Sequence, residues 1–106
     1  MGKEITELDS KNFDSFLKKG NVIVDFWASW CGPCKIMAPE YEEAAEKLKG
    51  KIHFGKVDVD AESELAQRFQ VMSIPTTIFL KKGEQVERVS GAIDKDEIEK
   101  IAEEVF

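Results

Sequence analysis

One passage constrains this chain more than any other: the apolar run Val22-Ile23-Val24-Asp25-Phe26-Trp27, followed almost at once by Trp30-Cys31-Gly32-Pro33-Cys34-Lys35, which holds both cysteines. Val-Ile-Val is apolar on both faces, as expected of a central parallel strand covered by helices on each side. Gly32-Pro33 supplies a turn between the cysteines. Pro33, with no N–H and a fixed φ, suits the first position of a helix, and the sequence to Lys49 is helix-prone. Cys31 therefore falls at a helix N-terminus, where unpaired N–H groups and the helix dipole stabilise a thiolate and mark it as the nucleophile. Cys34, one turn further in, is expected to be less accessible. Two thiols at this spacing can close a disulfide if the turn brings their Cα atoms within roughly 4.4–6.8 Å. The passage reads as a dithiol/disulfide redox site.

Two other uses of the cysteines fit less well. Half a zinc site would need two more ligands, and the lone histidine, His53, falls inside a strand. A structural staple across so short a loop would contribute only about 2 kcal/mol, and a reducing compartment would open it.

The 106 residues suffice for one domain with a buried core, and 42% hydrophobic against 34% charged residues is ordinary for a globular chain. No stretch approaches the ~20 apolar residues of a membrane span, and the start, Met1 to Glu7, lacks the apolar core of a signal peptide. A cytoplasmic location is expected. A net charge of -6 argues against nucleic acid or an anionic membrane as partner.

Glu4 to Leu8 alternates as a short strand, after which Asp9 or Ser10 can cap a helix carrying Phe13, Phe16 and Leu17, with Gly20 ending it. The helix from about Pro33 to Lys49 places Ile36, Ala44 and Leu48 at roughly helical spacing, with Pro39 in its interior, where a kink is expected. Ile52 to Val59 is a strand, and Glu62 to Phe69 a short helix facing Leu65, Ala66 and Phe69 inward. Thr76 to Leu80 and Gln85 to Val89 form a hairpin about Lys81-Lys82-Gly83-Glu84. Asp94 caps a last helix with Ile98, Ile101, Ala102 and Val105 on one face. The order βαβαβα followed by ββα gives an α/β fold, a mixed sheet with helices on both faces.

Asp25 is the outlier. A carboxylate in a strand covered on both faces is costly when ionised, so its pKa should rise and it could exchange a proton near neutral pH. Strand Asp25-Phe26-Trp27 leads into the dithiol loop, which would place the carboxyl beneath it, in reach of Cys34. The alternative is an aspartate facing solvent at the strand's end. Lys56, between Gly55 and Val57, could be its partner, or could sit at a solvated strand edge. Ser73-Ile74-Pro75-Thr76-Thr77 opens another apolar strand, with a proline that removes a sheet donor and often marks a functional loop; only about 5–6% of X-Pro bonds are cis, so trans is expected from the residues alone. Trp27 and Trp30 read as core and rim aromatics, and Met37 and Met72 as gap fillers, although Met72 lies near the proline loop and could face a partner.

Taken together, Val24-Asp25-Phe26-Trp27-Ala28, Trp30-Cys31-Gly32-Pro33-Cys34-Lys35, Pro39, Lys56-Val57-Asp58, Ser73-Ile74-Pro75-Thr76, Lys82-Gly83-Glu84 and Gly91-Ala92 resemble the thioredoxins almost end to end. The resemblance implies one thioredoxin domain over residues 1–106, with a five-stranded mixed sheet and four helices, and a cis Ile74-Pro75 bond against the dithiol. It implies a protein-disulfide reductase in which Cys31 forms a mixed disulfide, Cys34 resolves it, and Asp25 with Lys56 assists Cys34. Trp30, Gly32, Pro33, Ile74, Pro75, Gly91 and Ala92 would form an apolar face for substrate, with the Ile74 backbone pairing to an extended segment. The redox group would be the Cys31-Cys34 disulfide, with no cofactor and no metal. Partners would be disulfide-containing proteins and a thioredoxin reductase-like donor, and the chain would act as a monomer. Ser90 departs from the aliphatic residue many relatives carry before Gly91-Ala92. An oxidase or isomerase of the same fold, and a binding subunit that uses the same face without turnover, are the rival readings. The Gly32-Pro33 dipeptide, in place of an intervening His, speaks against the first.

Overall fold

The computed structural model describes residues 4–106. Met1, Gly2 and Lys3, part of the stretch read for a signal peptide, lie outside them. The elements follow as β1 (Ile5–Glu7), α1 (Phe13–Leu17), β2 (Asn21–Trp27), α2 (Gly32–Lys47), β3 (His53–Asp58), α3 (Ser63–Arg68), β4 (Thr76–Lys81), β5 (Glu84–Ser90) and α4 (Lys95–Val105). The strands form a single sheet in the order β1-β3-β2-β4-β5. β1 and β2 run parallel to β3, β4 is antiparallel to β2, and β5 is antiparallel to β4.

Strand β2 lies at the centre, and its alternation divides the core. Ile23 joins Ile5, Phe54 and Phe79 under Met37, Tyr41, Ala44 and Ala45 of α2 and Ile98 and Ala102 of α4. Val22, Val24 and Phe26 point the other way, into Leu8, Val57, Ile78 and Leu80 under Phe13, Phe16 and Leu17 of α1 and Leu65 of α3. Successive residues therefore serve opposite layers, and each fully buried Val, Ile or Phe contributes about 1.5–3 kcal/mol. Gly55 is needed where the second layer meets β3. A Cβ there would lie 2.5 Å from Leu8 Cδ1 and 3.0 Å from Phe16 Cε2.

Local chemistry sets the element ends. Asp94 and Glu97 form a reciprocal capping box at the start of α4. Lys82 and Gly83 both take positive φ, 52° and 84°, giving the tight hairpin between β4 and β5. Edge strand β5 is mostly exposed, and its pairing with β4 shifts register between Phe79 and Leu80, skipping Val86. The Arg88 guanidinium donates to the Phe69 and Gln70 carbonyls just past α3.

Two expectations are corrected. Helix α1 starts at Phe13, with Asn12 as an N-cap that makes no side-chain capping bond. Asp9 closes a turn ahead of the helix, its carboxylate accepting from the Lys11 and Asn12 amides at 2.8 and 3.0 Å while Asn12 Oδ1 accepts from the Asp9 amide at 2.8 Å. Ser10 caps nothing; its amide donates to Glu62. Ile36 is 72% exposed. Cys34, Met37, Tyr41, Ala44 and Ala45 hold the buried stripe of α2, and Ile36, two residues from Cys34, is turned about 200° from it. Pro39 lies inside α2, as expected.

Replacing Gly55 with Ala forces Leu8 and Phe16 to shift, and we expect a loss of about 1–3 kcal/mol in urea unfolding. An unchanged midpoint would show that the outer layer yields freely at this point.

Candidate active site

The chain leaves β2 at Trp27 and turns back through Ala28, whose carbonyl accepts from the Cys31 amide at 3.2 Å. Cys31 is the N-cap of α2, extended at φ -85° and ψ 113°, with Pro33 in the first turn. Its sulfur accepts from the Cys34 amide at 3.2 Å. The two cysteines form a disulfide with Cα atoms 5.3 Å apart. Both are 4% exposed, so the expected difference in access is absent at the residue level. Ala28, Cys31 and Cys34 pack as a small apolar cluster with Trp27, Val59 and Ile74.

Three loops meet at this end of the sheet. The Ile74-Pro75 bond is cis, and the Ile74 carbonyl oxygen lies 3.8 Å from Cys31 Sγ. Thr76 Oγ1 donates to the Ser73 carbonyl at 2.6 Å, closing the turn before Pro75. The Gly91 amide donates to the Pro75 carbonyl at 2.8 Å, and Gly91 takes a φ of 97° that favours glycine. Gly32, Pro33, Gly91 and Ala92 are exposed, Ile74 is half-buried, and Pro75 is buried. Trp30 is 67% exposed, its indole N–H donating to Asp60 Oδ2 at 2.8 Å, a partner that no motif pointed to. Met72, 94% exposed beside the proline loop, fills no gap, whereas Met37 is buried in the core.

Asp25 is 5% exposed and its Oδ1 has no hydrogen-bond partner. It lines a cleft of about 100 Å³ with Cys34, Lys35, Tyr41, Glu42, Trp27 and Lys56. Burial pushes its pKa from the usual 3.8 up to about 7, against the opposing pull of the Lys56 charge. The β2–β3 register sets Lys56 directly beside Asp25. The two do not form an ion pair, because the Lys56 ammonium sits 4.2 Å over the Trp27 ring. A cation–π contact takes the charge where a carboxylate was one expectation. The residue with no sequence signal is Tyr41, whose hydroxyl reaches the carbonyl oxygens of Gly55 at 2.6 Å and Ile23 at 3.0 Å. A tyrosine at helical spacing reads as core. Among the described residues no group of three or more His, Cys, Asp or Glu is arranged to hold a metal.

The raised pKa of Asp25 carries a stability consequence. The folded state keeps the proton up to about pH 7, while the unfolded chain releases it near 3.9. Stability therefore falls as pH rises between these values and stays low above them. Asp25→Asn should stabilise the protein at pH 8 by up to about 4 kcal/mol, from about 1.4 kcal/mol per pK unit, and give no gain below pH 4. Urea unfolding across that range checks it, and an equal gain at both ends would mean that ionisation is not the cause.

The thioredoxin family model matches residues 4–104. A thioredoxin from Staphylococcus saprophyticus is 44% identical over 99 residues, which cover 93% of this chain and 95% of the relative. One from Staphylococcus haemolyticus is 44% identical over 97 residues, covering 92% and 93%. Among solved structures, a mutant thioredoxin from Halobacterium salinarum superposes with a TM-score of 0.88 at 33% identity, over 96% of this chain and 90% of that one. With the sheet order, the dithiol turn and the cis-proline loop all in place, the chain belongs to the thioredoxin family and is a thiol-disulfide oxidoreductase whose redox group is its own Cys31-Cys34 pair.

Proposed function

We propose that the chain is a general protein-disulfide reductase acting through successive exchanges at Cys31 and Cys34. The Cys31 thiolate attacks one sulfur of a substrate disulfide, forming a mixed disulfide and releasing the other substrate sulfur as a thiolate. Asp25 takes the Cys34 proton, and the Cys34 thiolate attacks the Cys31 sulfur. The Cys31-Cys34 disulfide forms and the second substrate sulfur leaves as a thiolate. Two electrons have passed to the substrate. A thioredoxin reductase-like enzyme returns two electrons to the pair.

The observation that carries the division of labour is the N-cap position of Cys31, whose sulfur accepts the Cys34 amide. A thiolate there gains a hydrogen bond and the positive end of a helix dipole. Support for Asp25 as the base comes from its place in the cleft that Cys34 also lines and a pKa of about 7, which suits proton transfer near neutrality. Lys56 favours the carboxylate once it forms. Trp30, Gly32, Pro33, Ile74, Pro75, Gly91 and Ala92 make up the substrate face in this reading, the Ile74 backbone pairing with an extended segment. Exposed Ile36 and Met72 add apolar area near it.

In this reading the chain works as a single domain, a monomer, in the reducing cytoplasm. The charge of -6 supports protein partners over nucleic acid.

Cys34→Ser should trap substrates on Cys31 as stable mixed disulfides visible in non-reducing gels, while Cys31→Ser traps none. Equal trapping by both would overturn the nucleophile assignment. A pure binding role would survive replacing both cysteines by serine. Asp25→Asn should slow substrate release near neutral pH about tenfold or more, within the usual range for general base catalysis. An unchanged rate would return Asp25 to a structural role.

A further inference from the structure

Tyr41 is the only tyrosine in the chain and takes no part in the exchange chemistry. Its ring is buried edge-on against Phe54, centroids 5.2 Å apart. Its hydroxyl stands between two strands, 2.6 Å from the Gly55 carbonyl oxygen of β3 and 3.0 Å from the Ile23 carbonyl oxygen of β2. One proton thus serves two acceptors. Ile23 lies two residues before Asp25, and Gly55 immediately before Lys56, the residue in register with Asp25. A buried tyrosine needs only one acceptor to be satisfied. This one sits where it can tie together the two strands that carry the acid and the lysine. Burial first, and the neighbouring Asp25 second, push the Tyr41 pKa well up, so the phenol remains a donor throughout the range in which Asp25 titrates.

We propose that Tyr41 is a positioning residue for proton transfer, its hydroxyl tying β2 to β3 at the level of Asp25 and Lys56 and so holding the carboxyl towards Cys34. The proposal rests on Asp25 being the base for Cys34. The other charged groups around the carboxyl are Lys35 and Glu42 from α2 and Lys56 from β3, with Glu7 of β1 beside Lys56 and uncharged Thr77 of β4 opposite Asp25. None of them contacts the Tyr41 hydroxyl within hydrogen-bond distance. Without that hydroxyl, the Ile23 and Gly55 carbonyls lose a side-chain donor near Asp25, and ionising the carboxyl would cost more.

The test follows the reduced protein with 5,5′-dithiobis(2-nitrobenzoate), in which the first thiol release reports attack by Cys31 and the second reports attack by Cys34. Tyr41→Phe should move the pH midpoint of the second release up by about half a unit or more, slowing it about twofold at neutral pH and about threefold well below the midpoint, where the rate follows the ionised fraction. 3-Fluorotyrosine, incorporated at this single tyrosine, keeps ring and hydroxyl and should retain the wild-type midpoint. Ile98→Val, in the same core layer, should lower stability without moving it. A Tyr41→Phe midpoint equal to wild type, or an equal shift in Ile98→Val or the fluorotyrosine protein, would overturn the positioning role. Asp25→Asn distinguishes the two levels: if it leaves the second release unaltered, the base assignment itself fails; if it alters the release while Tyr41→Phe does not, only the positioning role fails.

Discussion

The withholding of water from both faces of β2 is the constraint on which the rest of the structure depends. Every residue from Val22 to Phe26 is buried, and all but one are apolar. The exception, Asp25, has no hydrogen-bond partner at Oδ1 and a lysine whose charge rests on an aromatic ring. Solvating a carboxylate with a few fixed groups costs far more than solvating it with water. The carboxyl therefore keeps its proton to about pH 7, and the fold tolerates a group that would be cheaper as an amide. It stands at one wall of a space that Cys34 also lines, which is the placement the proposed base role rests on.

The same strand fixes the position of the dithiol. β2 ends where α2 begins, so the sheet aims the helix N-terminus, and the first helical turn carries both sulfurs. β4 runs antiparallel to β2 and brings its starting loop, Ile74-Pro75, to the same end of the sheet. The amide of Gly91, just past β5, then ties the third loop to Pro75. Three stretches far apart in sequence meet because adjacent strands in the sheet start and finish at one edge of the molecule. Each is held by hydrogen bonds to backbone carbonyls, so the surroundings of the sulfurs need few specific side chains.

Much of this was legible in the residues. Continuous apolar character identified β2 as central, the switch to helical spacing after Pro33 located α2, and a lone carboxylate in an apolar strand marked Asp25. Features set by three-dimensional neighbours were not legible. Whether Asp9 caps a helix or a preceding turn depends on Asn12 bonding back to it. Ile36 and Met37 are equally apolar in sequence, and only the seat of α2 against the sheet decides which is buried. Lys56 read as a partner of Asp25 or as a solvated strand-edge residue, and its seat over the Trp27 ring was set by local side-chain geometry. Tyr41 gave no signal because its second acceptor, Gly55, lies on a different strand. The cis Ile74-Pro75 bond followed from the family resemblance, since the residues alone favour trans.

The two ends of the sheet shape how the molecule behaves in a crowd. β1 is only three residues long, and β5 pairs with β4 on one side alone while presenting Glu84, Gln85 and Glu87 at an exposed, register-shifted edge. An open edge is a template on which another chain can add a strand, with aggregation as the outcome; short length, bulges and charge all blunt that template. Strand addition is then discouraged at the sheet edges. The loop at Ile74, beside the sulfurs, is where the proposed pairing would seat an extended partner instead.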